Sequence, residues 1–193
     1  MILNLEFDPT KATYGFLFGV ARFTTSGKVL KEILNVIENF DLSKNSESFS
    51  KCFSSCNETY NHWAIEIKTM IVVNEHSSCE LHKTIAKDKD VYVRWQLAMH
   101  TRYPSLIMYL CKNAKEQKVI IGLLENKNLT KRQYDIIVRR ICEGDLFESL
   151  DDDDERLDDF IKYTMMKHRL VTPYQSRRLQ NAIYMLYDAA EER

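Results

Sequence analysis

Val93-Arg94-Trp95-Gln96-Leu97-Ala98-Met99-His100 has an echo on either side of it. Its apolar residues Val93, Leu97 and Ala98 stand at i, i+4 and i+5, the spacing of one helix face. Ile67, Ile71 and Val72 stand in the same relation 26 residues earlier, and Val119, Leu123 and Leu124 stand so 26 residues later. Each triplet is followed two residues on by a polar residue: Asn74, His100 and Asn126. A period of 20–50 residues is the mark of stacked supersecondary units, each unable to bury its apolar face alone. The expectation is an all-α fold built for a surface rather than for a pocket.

Composition agrees. The chain has 193 residues, 45% hydrophobic and 28% charged, enough to bury a core. Only 5 Gly and 3 Pro occur, too few for a turn-rich β sandwich. The formal net charge of −1 demands neither nucleic acid nor an anionic membrane. No apolar run approaches the length of a membrane span. Residues 1–7 lack the basic and apolar regions of a signal peptide, so a cytoplasmic location is expected, with five reduced cysteines. Ile2, Leu5 and Phe7 suggest at most a short strand.

Outward from the central stretch, the chain reads as helix after helix. Asp8-Pro9 has the form of a helix start, and residues 14–20 are apolar on nearly all sides, as in a buried segment. Ser26 is placed to cap a helix with Val29, Leu30, Ile33, Ile37 and Phe40 on its face. Residues 41–55, rich in Ser, Asn and Lys, read as an exposed loop. Helices are expected over 60–75, 79–87, 91–100, 105–112 and 115–126, with breaks at Asp88, Asp90, Pro104 and Asn113. Thr130-Lys131-Arg132-Gln133 is a capping box, and Thr172-Pro173-Tyr174-Gln175 repeats it 42 residues on. The last helix carries Leu179, Ile183, Leu186 and Tyr187 on one side. The expected organisation is a helical element with a polar loop over 1–56, then a helical-repeat region over 57–193 closed by C-terminal capping helices. The two are expected to form one compact domain.

Leu81, Ile85-Ala86, Asp88, Val93-Arg94 and Leu97-Ala98 together resemble the leucine-rich repeat variant, a HEAT-like helical repeat. Pro104, Leu106, Ile107, Leu110, Cys111 and Asn113 continue the pattern. His82 replaces its second Leu, His100-Thr101 stands where it has Asn-Pro, and Ile120 replaces the Arg after Val119. The clear likeness covers residues 81–113. It implies stacked helices and a macromolecule-binding surface, and it implies no catalytic residue.

The candidate sites follow from charge. Arg94, His100, Arg102, Lys112 and Lys118 are the expected binding residues, on exposed positions of second helices and connectors. The expected function is a non-enzymatic adaptor or regulator whose partner is another protein. The alternative is a nucleic-acid-binding protein. Between residues 112 and 140, Lys112, Lys115, Lys118, Lys127, Lys131, Arg132, Arg139 and Arg140 outnumber Glu116, Glu125 and Asp135. Lys127, Lys131, Arg132, Arg139 and Arg140 are its contacts, Arg177-Arg178 adds a pair, and Tyr92, Trp95 and Tyr103 are the rings for stacking. Residues 143–159 are the opposite, with ten acids against Arg156 alone. That run suits the positive end of a helix over 155–169, whose far end carries Lys167, His168 and Arg169. It equally suits screening of the basic stretch or contact with a basic partner. Cys52-X3-Cys56, His62 and Cys79-X2-His82 are the nearest approach to a zinc set, but the first pair is too loose, and no metal is expected. No Gly-rich phosphate loop, Gly-X-Ser-X-Gly or His-Glu-X-X-His occurs, so neither a catalytic residue nor a cofactor or small-molecule substrate is expected.

Overall fold

The computed structural model describes residues 14–39, 56–144, 162 and 165–191. Among these, the regular structure is nine α-helices and no strand. They are α1 (Tyr14–Phe23), α2 (Gly27–Asn39), α3 (Cys56–Val73), α4 (Cys79–Ile85), α5 (Val91–His100), α6 (Pro104–Asn113), α7 (Gln117–Glu125), α8 (Lys131–Cys142) and α9 (Pro173–Glu191). The expected strand and the Asp8-Pro9 helix start lie outside the described residues, as do the loop at 41–55, Cys52 and most of the acidic run. The chain packs as two compact units, Met1–Val93 and Arg94–Arg193.

All nine apolar residues of the three echoing triplets are buried, so the 26-residue spacing marks core positions. In the first unit, α1 and α3 pack together and bury Leu17, Ala21, Ile67, Ile71 and Val72. The segment at 14–20 is not buried all round, because Phe16 is exposed and Phe18, Gly19 and Val20 are only half-buried. Ser26 does cap α2, its hydroxyl accepting from the Val29 N–H. The helix buries Leu30, Ile33, Leu34 and Ile37, and Val29 is only half-buried. Asp88 holds the Lys68 ammonium. Asp90 caps α5, its carboxylate accepting from the Tyr92 N–H at 2.8 Å.

In the second unit the helices pair with the next but one. The Gln133 amide donates to the Pro104 carbonyl at the start of α6. The Arg140 guanidinium donates to the Cys111 and Ala114 carbonyls at its end. Helices α6 and α8 therefore run side by side in one direction. Helices α5 and α7 do the same, because Gly122 faces Trp95 and Asn126 reaches the carbonyls of Ala98 and Thr101. The expected break at Pro104 is instead the first turn of α6, where a missing N–H costs nothing.

Asn74 and Asn126 explain the polar residue after the triplets. A helix end leaves its last carbonyls without partners inside the helix. The Asn74 amide donates to the Ala21 and Thr24 carbonyls at 2.9 and 3.0 Å, past the end of α1. Asn126 does this for α5, at 2.7 Å to Ala98 and 2.8 Å to Thr101. The oxygen of each turns back onto its own loop, accepting from the N–H of His76 and of Asn128. His100, at the middle position, is exposed.

Asn126→Ala removes the side-chain amide that donates to the Ala98 and Thr101 carbonyls and is expected to cost about 1–3 kcal/mol, read as a lower melting temperature. Gly122→Ala decides between two effects. Helix propensity favours Ala by about 1 kcal/mol. A Cβ here would meet the Trp95 carbonyl oxygen at 2.6 Å, so the contact is expected to win and the melting temperature to fall.

Candidate binding surface

The second unit sorts its charges by helix. Over α6, α8 and residues 173–184 of α9 there are seven cations, Lys112, Lys131, Arg132, Arg139, Arg140, Arg177 and Arg178, and one carboxylate, Asp135. The capping glutamines join these helices in a row. Gln133 completes the capping box of α8 while its amide reaches back to α6. Gln175 accepts from Thr172 at the start of α9 while its amide reaches Asp135 of α8 at 2.6 Å. The sequence spacing of the two capping boxes thus has a physical use, since each fastens its helix to a neighbour in that row, α8 to α6 and α9 to α8.

The helix faces are set by what each buries. Helix α6 buries Leu106, Ile107, Leu110 and Cys111, and α8 buries Tyr134, Ile137, Val138 and Ile141. Left outward are Ser105, Tyr109 and Lys112 on α6, Arg132, Asp135 and Arg139 on α8, and Tyr174, Arg177, Asn181 and Tyr184 on α9. The tyrosines are 50%, 71% and 61% exposed at Tyr109, Tyr174 and Tyr184. Lys131 and Arg139 are held on this surface by Asp135 and Glu143. An exposed pair of this kind contributes little to stability and leaves both groups open to an exchange of partners.

The expected site residues divide. His100, Arg102 and Lys112 are exposed, and Lys118 is half-buried. Arg102 lies over the Tyr103 ring at 5.4 Å. Arg94 is not exposed: its side chain is 17% accessible and pairs with Glu116. Burial alone would raise the Glu116 carboxyl, but its own backbone N–H and the Arg94 guanidinium hold it below its usual value. Among the alternative contacts, Lys127, Lys131, Arg132 and Arg139 are exposed. Arg140 is buried and spends two donors on the end of α6. Trp95 is half-buried against Gly122, and Tyr92 is exposed. Sequence reasoning missed Tyr109, Tyr174 and Tyr184. The only signal for them was an aromatic one or two residues off the apolar stripe, which a core reading absorbs.

No group of three or more His, Cys, Asp or Glu able to hold a metal ion occurs among the described residues. Burial pushes the Cys111 thiol up to about 12, so it stays protonated. No helix among the described residues is long and apolar enough to cross a membrane. No protein-family model, no curated protein and no solved structure matches this chain.

Residues 166–170 are turns rather than the end of a helix, and they pack back on α7 and α8. The His168 ring stacks on Tyr134 at 4.7 Å. Its Nδ1 accepts from the Leu170 N–H, so Nε2 carries the hydrogen and donates to the Leu124 carbonyl at 3.0 Å. Burial lowers the His168 pKa, the Leu124 carbonyl opposing and Arg169 adding to the effect. His100 is lowered too, by burial against the pull of Glu125.

A histidine whose folded-state pKa is lowered stabilises the fold above its unfolded pKa of about 6.5, and that stability is lost as pH falls through the folded value. The melting temperature is expected to drop between about pH 7 and pH 5, and His168→Gln is expected to flatten that slope. Arg94→Glu places like charge beside half-buried Glu116 and is expected to lower the melting temperature. Arg132→Glu, on the open face, is expected to leave it nearly unchanged.

Proposed function

We propose that this chain is a non-enzymatic binding protein, an adaptor or regulator whose α6–α8–α9 face takes an anionic macromolecule. The observation that carries the reading is the exposure of Lys112, Lys131, Arg132, Arg139 and Arg177 against the single carboxylate Asp135 on α6, α8 and residues 173–184 of α9. The whole chain has a net charge of −1, so any attraction to a polyanion depends on that local excess and not on overall charge. Exposed cations and rings spread over three adjoining helices suit an extended partner better than a small molecule, which takes a concave pocket. The side-by-side stacking of the helices favours the reading of the middle of the chain as a HEAT-like helical repeat, in which one layer of helices supplies the contact surface.

Heparin chromatography tests this reading with a generic polyanion. The protein is expected to be retained at low salt and to elute as salt rises, because contacts between cations and anions release counterions. The double variant Arg132→Glu, Arg177→Glu is expected to pass through unretained with an unchanged melting temperature. Retention of that variant equal to the parent would remove this face as the site.

A further inference from the structure

We infer that the partner taken by the α6–α8–α9 face is a single-stranded nucleic acid, a reading that rests on the anionic-partner proposal above. Three features of the face point to it. The first is the kind of cation. Arg132, Arg139 and Arg177 are guanidiniums on exposed positions, and a planar guanidinium matches two oxygens of one phosphate. The second is the rings. Tyr174 stands three residues before Arg177 and Tyr109 three before Lys112, so each ring and its cation share one helix face. Tyr184 continues the row one turn beyond Asn181. Exposed rings alternating with cations suit a strand that lays its phosphates on the charges and its unstacked bases on the rings.

The third feature is what surrounds the rings. A protein partner is held by apolar anchors in a water-excluding centre. Beside these tyrosines the described exposed neighbours are Ser105, Lys112, Asn113, Gln180 and Asn181, all polar, with only Pro104 and Pro173 at the two helix starts apolar. An acidic peptide would find the charges here but no apolar centre, whereas a base needs only the face of a ring and a wet rim. A duplex would meet the cations but keep its bases stacked on one another, out of reach of the rings.

Fluorescence anisotropy on the full chain separates these cases. The probes are a labelled mixed-sequence single-stranded 20-mer, the same sequence as a duplex, and a labelled poly-glutamate peptide of similar charge. The single strand is expected to bind tightest, with an affinity that falls steeply with salt. Tyr174→Ala combined with Tyr109→Ala is expected to weaken it by at least about fivefold at constant salt slope. Arg132→Glu with Arg177→Glu is expected to weaken it by at least about tenfold and to flatten the slope, while the Lys versions of both keep the slope and bind between the parent and the Glu variant, a point charge replacing a bidentate guanidinium. All variants are checked for an unchanged melting temperature, and Tyr174→Phe, which keeps the ring, is expected to bind like the parent. A duplex bound as tightly as the single strand, with the tyrosine variants unaffected, overturns this inference and leaves the anionic-partner reading standing. So does poly-glutamate bound as tightly as the single strand. Failure of all three probes to bind at low salt overturns both.

Discussion

Short helices have a problem of ends. Each of the second unit's helices α5 to α8 is 9 to 12 residues long, so the four carbonyls that a helix cannot satisfy internally are a large share of its backbone. Bury such an end without donors and the cost exceeds what the apolar face gains. The chain answers with side chains sent from the next helix but one: Asn126 to the end of α5, and Arg140 to the end of α6. The segment before α9 does the same, through His168 to the end of α7 and through Arg169 to the loop that follows it. Asn74 performs the task for α1 in the first unit. These donors fix the neighbour, the direction and the register of each helix at once. Apolar contact alone fixes none of the three, because it is non-directional.

That constraint shapes the candidate surface as well. Once Arg140 is committed inward, the cations left on α8 are those on its open side, Lys131, Arg132 and Arg139. The capping glutamines set α6, α8 and α9 in a row, so cations far apart in sequence come to one face. The charge of the chain is nearly balanced; the 112–140 stretch is already basic in sequence, and the fold adds Arg177 to its exposed cations while turning Arg140 away. Tyr134 shows the opposite sorting. Its ring is buried under His168, and its hydroxyl donates to the Met165 carbonyl at 2.7 Å. Burial accordingly drives its pKa upward.

Much of the fold was legible. The helix α5 begins and ends where its apolar triplet and Asp90 place it, and the capping box at Thr130 forms as written, with both reciprocal bonds present. The polar residue after each triplet was visible too, but not its task. Nothing local distinguishes the Asn that clamps another helix from the exposed His100, because the clamp's acceptors lie 25 and 28 residues away for Asn126 and 50 and 53 for Asn74. Arg94 and Arg140 misled for the same reason. A basic residue on a short helix reads as solvated until its partner across the fold is known.

Helix class, the bounds of α5, the Thr130 cap and the buried triplets were determined by the sequence itself, since propensity, caps and apolar spacing act within a few residues of one another. The tertiary structure alone decided which helices lie side by side, which arginines turn inward, and which tyrosines stay out. Those outcomes depend on hydrogen-bond acceptors and burial supplied by distant segments, and a linear pattern carries no record of them.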